Sequence, residues 1–187
     1  RRGRHLSRGC GSNRNPAPRG PVPDRSAGGG ARHMRFSTDG NYIYLLNELT
    51  LSVTTFAYNR DTGTATIKST TPALGEEVKS EQNYNLASEI LVHPNGKFVY
   101  SANCGHNSIT LYWPDPQTGQ LTVKQVESAG VTFPRHINLD PTGKWLLAAG
   151  RFSNTVSVFA VDQESGQLNH QPEMGTKVSE PTCVLFR

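Results

Sequence analysis

Cysteine is scarce: the chain has three, Cys10, Cys104 and Cys183, widely spaced, odd in number and without a CxxC pair. That usage excludes a disulfide-dense scaffold and a cysteine zinc framework, and it fits a reducing, cytoplasmic setting. No apolar run approaches the length of a membrane span. No segment sustains a 3.6-residue period, so a solenoid of helices is excluded. Residues 1–30 lack lysine and contain almost no apolar side chains beyond Leu6 and Val22. Seven arginines against the single acid Asp24 make this segment +6, which leaves −2 of the chain's +4 for residues 31–187. The body is mildly acidic, and its charge gives no reason to expect a nucleic-acid partner. A segment so poor in apolar surface cannot offset its ordering entropy, so residues 1–30 are expected to be a disordered tail, foreign to the fold. No apolar stretch follows the arginines, so they do not read as a secretory signal.

What the chain does have is a repeat. RHMRFSTDGNYIYLLNE from Arg32, SEILVHPNGKFVYSANC from Ser88 and RHINLDPTGKWLLAAGR from Arg135 align without gaps. Each leads into a β-rich run, SVTTFAY, SITLYWP or TVSVFAV, and then into a second glycine turn at Gly63, Gly119 or Gly166. Gly40 to Gly96 and Gly63 to Gly119 are both 56 residues; Gly96 to Gly143 and Gly119 to Gly166 are both 47. Two independent markers therefore agree on a 47-residue unit, with about nine residues inserted in the first around Glu76–Leu86. The runs are short, rich in Val, Ile, Tyr, Phe and Thr, and punctuated by glycine turns between antiparallel strands. Four short strands per unit of this length is a propeller blade. The expected fold is all-β: three four-stranded blades over residues 31–187, with one extra strand at Pro181–Phe186. The blade edges at both ends of such an arc are expected to favour self-association.

The register also predicts a site. With the innermost strand running up to the first turn and the second returning, the start of the first and the end of the second share one face of the disc. Counting back seven residues from the turn glycines gives His33, Glu89 and His136; counting back eight gives Arg32, Ser88 and Arg135. Counting forward seven gives Asn47, Asn103 and Gly150, followed by Glu48, Cys104 and Arg151. One rim thus gathers imidazoles, carboxylates and guanidinium groups. A carboxylate or imidazole there can take a proton from water, and a guanidinium can grip an anion or a developing oxyanion. Polar residues at strand ends also simply meet solvent. The break in symmetry, Glu89 where its siblings are histidines, favours a functional rim. His106, in the loop after the second strand, is a further candidate contact.

These patterns, together with EPTCVLF at the end of the chain, resemble the lactonase family of seven-bladed propellers. That family includes bacterial 6-phosphogluconolactonases and the fungal enzyme that cyclises 3-carboxy-cis,cis-muconate. The resemblance covers residues 31–187. It implies a site in the channel mouth that requires neither metal nor cofactor, with His33, Glu89 and Arg135 as catalytic residues. It implies substrate contacts from Arg32, Asn103 and His106, to which the repeat register adds His136. The implied activity is hydrolysis of a sugar-derived lactone such as 6-phosphogluconolactone. The alternatives are the reverse, lactone-forming reaction and a non-catalytic interaction module. One departure is that Cys104 stands where the family commonly has arginine, which removes a fixed positive charge. Another is length: three blades are fewer than seven, as in a truncated or mis-started product.

Overall fold

The computed structural model describes residues 28–75 and 85–186. Within them the chain forms three antiparallel sheets in sequence order. The first contains β1 (Ala31–Phe36), β2 (Tyr42–Asn47), β3 (Ser52–Asn59) and β4 (Thr64–Pro72). The second contains β5 (Leu86–Val92), β6 (Val99–Cys104), β7 (Ser108–Pro114) and β8 (Leu121–Ser128). The third contains β9 (Pro134–Leu139), β10 (Trp145–Gly150), β11 (Thr155–Val161) and β12 (Leu168–His170), with an extra two-residue strand, β13 (Thr176–Lys177). Each sheet is a simple up-and-down meander, and the first strands β1, β5 and β9 lie side by side. This is the fan of blades expected from the repeat. The sole helical turn among the described residues is Pro172–Met174.

The extra strand is not where the sequence suggested. β13 pairs with Thr155 and Val156 of β11, on the edge that β12 occupies further along, so the outermost strand of the third blade is broken in two by the Pro172–Met174 turn. Pro181–Phe186 joins no ladder, because no described strand stands beside it to pair with. It is anchored instead by Asn138 Nδ2, which donates to Val184 O at 3.0 Å. The expected tail, apart from its last residues, lies outside the described residues. Gly29 and Gly30 already belong to the fold, their carbonyls accepting from Leu49 and Glu48 N–H at 2.9 and 2.8 Å.

The blades are held by two cores, one at each blade–blade interface. Tyr44, Leu46 and Val53 meet Ile90, Val99 and Tyr112 at the first. Tyr100, Ile109 and Leu111 meet Ile137, Leu146 and Phe159 at the second. The middle blade is therefore covered on both faces, and all six residues of β6 are buried. A ring-on-glycine contact recurs at the rim. Gly119 and Gly166 adopt φ of +70° and +75°, and a Cβ on either would fall 2.3 Å from the Tyr42 ring or 2.6 Å from the Phe98 ring. Tyr42 and Phe98 each stand two residues after a turn glycine, so the same position of one blade caps the outer turn of the next.

Candidate functional site

Each innermost strand begins with a β-bulge. Pairing skips between Ala31 and Met34 in β1, between Ala87 and Glu89 in β5, and opposite Ala149 and Gly150 in β10, which places Arg135 outside the ladder. The residues displaced are those eight before the turn, Arg32, Ser88 and Arg135. Bulges re-aim side chains and recur beside active sites. Here the bulged residues stitch blades together. Arg32 Nε donates to Ser88 O at 2.8 Å and its Nη1 lies 3.2 Å from Glu48 Oε2, while Ser88 Oγ donates to Pro134 O at 2.6 Å.

The residues seven before each turn converge. Glu89 is 1% exposed, and both of its oxygens are engaged. Oε1 lies 2.9 Å from His33 Nδ1, 3.2 Å from Arg35 Nη2 and 3.0 Å from its neighbour's amide, Ile90 N. Oε2 lies 3.2 Å from His136 Nε2. A carboxylate offers about four lone-pair sites, so this ring of donors uses nearly all of them. The His33 contact is close but not aligned as a directed hydrogen bond. Of the two imidazoles His33 is the outward one, its side chain 38% exposed against 14% for His136.

His136 is locked in one tautomer. Val184 N–H donates to its Nδ1 at 3.4 Å, so Nδ1 is the acceptor and Nε2 carries the proton toward Glu89. Burial lowers the His136 pKa below the ordinary imidazole value of 6.5, and His33 and Arg35 push the same way, against the attraction of Glu89. The unfolded chain therefore binds this proton more readily than the folded one. The neutral form's full stability is present above about pH 6.5 and is lost as pH falls toward the lowered folded value. Thermal melts should show a smaller loss on going from pH 7.5 to 5.5 in His136→Gln than in the unchanged chain; equal losses would remove His136 as the cause.

The other sequence candidates are placed as follows. Arg135 is half-buried in the β9 bulge beside His136. His106 Nδ1 lies 2.8 Å from Ser108 Oγ in the half-buried loop after β6. Asn103 lies outside the ring. It is fully buried, and its Nδ2 donates to Ser108 Oγ and Thr110 Oγ1, both at 3.0 Å. Asn47 makes the same pair of bonds to Ser52 and Thr54 one blade earlier, so this position ties the second strand to the third. Cys104 is buried, which pushes its thiol up to about 11. Sequence reasoning missed Arg35. It lies two residues after His33 on one strand, hence on the same side of β1, and that alternation was the available signal. Arg35 also lines, with Leu91, Asn138 and Leu139, a groove that continues along the inner strands.

The comparisons agree with this architecture. The family model described as lactonase, 7-bladed beta-propeller matches residues 17–186, beginning ahead of the first strand. A 6-phosphogluconolactonase of Bacillus subtilis is 30% identical over 113 residues, covering 60% of this chain and 32% of that protein. The solved structure of the periplasmic gluconolactonase PpgL of Pseudomonas aeruginosa is 30% identical with a TM-score of 0.76, covering 83% of this chain and 42% of that one. A putative 6-phosphogluconolactonase from Bacteroides uniformis is 29% identical with a TM-score of 0.75, covering 83% and 43%. The chain thus spans about a third of the length of the curated relative and under half of these solved structures. With its three consecutive blades and ordered motifs, the chain belongs to the lactonase family of seven-bladed β-propellers.

Proposed function

We propose that the ring around Glu89 opens a sugar-derived lactone, with 6-phosphogluconolactone as the substrate to test first. The observation that carries this reading is a buried carboxylate touched by two imidazoles and a guanidinium at the shared end of three inner strands. Glu89 is too enclosed to reach water itself. His33, the more exposed of the two imidazoles, takes the proton from water through Nε2 while its Nδ1 turns toward Glu89, which steadies the imidazolium that forms. The contact tightens into an aligned hydrogen bond once substrate excludes solvent. Water oxygen bonds to the lactone carbonyl carbon, and the resulting oxyanion collapses with cleavage of the ring C–O bond. The departing alkoxide recovers the proton from His33, and the product is an open hydroxy acid. Only side chains and water take part, and free thiols at Cys104 and Cys183 suit a cytoplasmic setting.

Of the two arginines eight residues before a turn, Arg32 is committed to Ser88 and Glu48, which leaves Arg135 of that pair to grip the substrate's anionic group. Arg135→Lys should raise KM with a smaller change in kcat, because an ammonium cannot reproduce a planar two-pronged contact. An unchanged KM would remove Arg135 from substrate binding. Assays with phosphogluconolactone and with carboxymuconate separate hydrolysis from the reverse, lactone-forming reaction; inertness toward both would favour an interaction module.

A further inference from the structure

Arg35 offers more donors than its contact with Glu89 uses. The residues at the same place in the next two blades are Leu91 and Asn138, so the first blade alone sets a charge at this height. The guanidinium donates through Nη2 to Glu89 Oε1 at 3.2 Å and through Nη1 to Met34 O at 3.1 Å. A guanidinium carries five N–H donors in a planar fork, so these two bonds among the described residues leave three. The Arg35 side chain is 43% exposed although Glu89 is 2% exposed, so the unspent donors lie on the side away from the carboxylate. That side opens on a groove of about 360 Å³ along the inner strands, walled by Leu91, Val92, Asn138 and Leu139; Arg35 is the one member of the ring that lines it. His33 and Arg35 meet at the same oxygen, Glu89 Oε1, at 2.9 and 3.2 Å. The imidazole that takes a proton from water and the free side of the guanidinium are therefore neighbours. Charge balance points the same way. Before reaction Glu89 and Arg35 cancel. During attack His33 gains a proton and the carbonyl oxygen gains the opposite charge, while burial holds His136 below the ordinary imidazole range. Without Arg35 the oxyanion would form beside an uncompensated carboxylate; with it, the ring stays neutral throughout.

We infer that Arg35 is the oxyanion-holding residue of this site: the lactone carbonyl oxygen accepts its free N–H groups, and accepts them more strongly as the tetrahedral intermediate forms. The inference rests on the lactone-opening reading and adds a catalytic residue to it. Water oxygen bonds to the carbonyl carbon, and the carbonyl π pair moves onto the oxygen, where the guanidinium holds it. The pair returns to carbon as the ring C–O bond breaks. The guanidinium gives up no proton at any stage, so His33 alone handles the proton taken from water.

The experiment compares the whole chain with Arg35→Met, which keeps the length of the side chain and removes its charge. On 6-phosphogluconolactone kcat should fall ~10²–10³-fold, the loss seen when one oxyanion donor is removed, with KM little changed. Arg135→Lys is expected to move KM instead. A residue that only tethered Glu89 would also lower kcat, so binding is measured beside turnover. The probes are the cyclic phosphonate analogue of the lactone, whose tetrahedral P–O⁻ stands where the oxyanion forms, and the corresponding lactam, which keeps a neutral carbonyl. By isothermal titration calorimetry, Arg35→Met should lose affinity for the phosphonate by about the factor lost in kcat and keep its affinity for the lactam. Ethylguanidinium should restore part of the turnover of Arg35→Ala, and uncharged ethylurea should not. Arg35→Met as fast as the unchanged chain, or slow yet binding the phosphonate as tightly, would overturn the oxyanion role. An unchanged chain that opens no lactone, yet binds the phosphonate through Arg35, would support anion holding there and contradict the lactonase reading instead.

Discussion

Glu89→Gln is expected to lower lactone turnover by ~10²–10⁴-fold, the range attributed to a positioned acid–base group. The substitution keeps the size of the side chain, and the amide could still accept through its one oxygen. The amide nitrogen would carry hydrogens where Glu89 now receives donors from three side chains and the Ile90 amide. One of those donors must lose its partner, and the imidazolium formed on His33 would lose its counter-charge. The effect should fall on kcat, since Glu89 is buried and has little surface with which to bind substrate. Far-UV circular dichroism separates this from simple misfolding: the variant's spectrum should match that of the unchanged chain while kcat falls. A variant with native turnover would show that Glu89 is an internal tether and nothing more.

The largest stability effect is expected at Phe98. Its ring is 2% exposed, it lies edge-to-face with His93 at 5.4 Å, and it covers Gly166 of the next blade. Phe98→Ala removes the ring from a site whose backbone neighbours cannot collapse, at a cost of ~3–5 kcal/mol. For a chain of this size that corresponds to a fall in Tm on the order of 10 °C. Trp145 occupies the same position in the third blade but is only half-buried, and no described glycine turn lies beneath it. Trp145→Ala should therefore cost clearly less. Equal losses in differential scanning calorimetry would mean that the ring-on-glycine contact does not hold the blades together.

How much of this was legible in the sequence depends on what the repeat controls. Strands and turns were legible because glycine marks positions of positive φ, and Gly40, Gly96 and Gly143 recur with the same hydrogen bond back to the residue three before them. The convergence of His33, Glu89 and His136 was legible for the same reason, since equal offsets in equivalent blades give equal heights. Asn103 was placed at the right height, but polarity at a strand end does not say which way an amide points. The matching Asn47–Ser52–Thr54 and Asn103–Ser108–Thr110 spacings were the sign of an internal tie. Arg35 was passed over because its siblings in the repeat, Leu91 and Asn138, are uncharged. Pairing of the last segment depends on what stands beside it, and no periodicity reports that; the break of the third blade's outer strand at Pro172 was equally hidden.

The most direct test of lactone opening by the ring around Glu89 is the rate at which 6-phosphogluconolactone opens, followed by NMR with spontaneous hydrolysis subtracted. The chains to compare are the unchanged one, His33→Asn and Glu89→Gln. Catalysed opening is predicted for the unchanged chain and near-complete loss for both variants, with far-UV circular dichroism unaltered. An unchanged chain no faster than buffer, or variants as fast as the unchanged chain, would contradict that role for the ring.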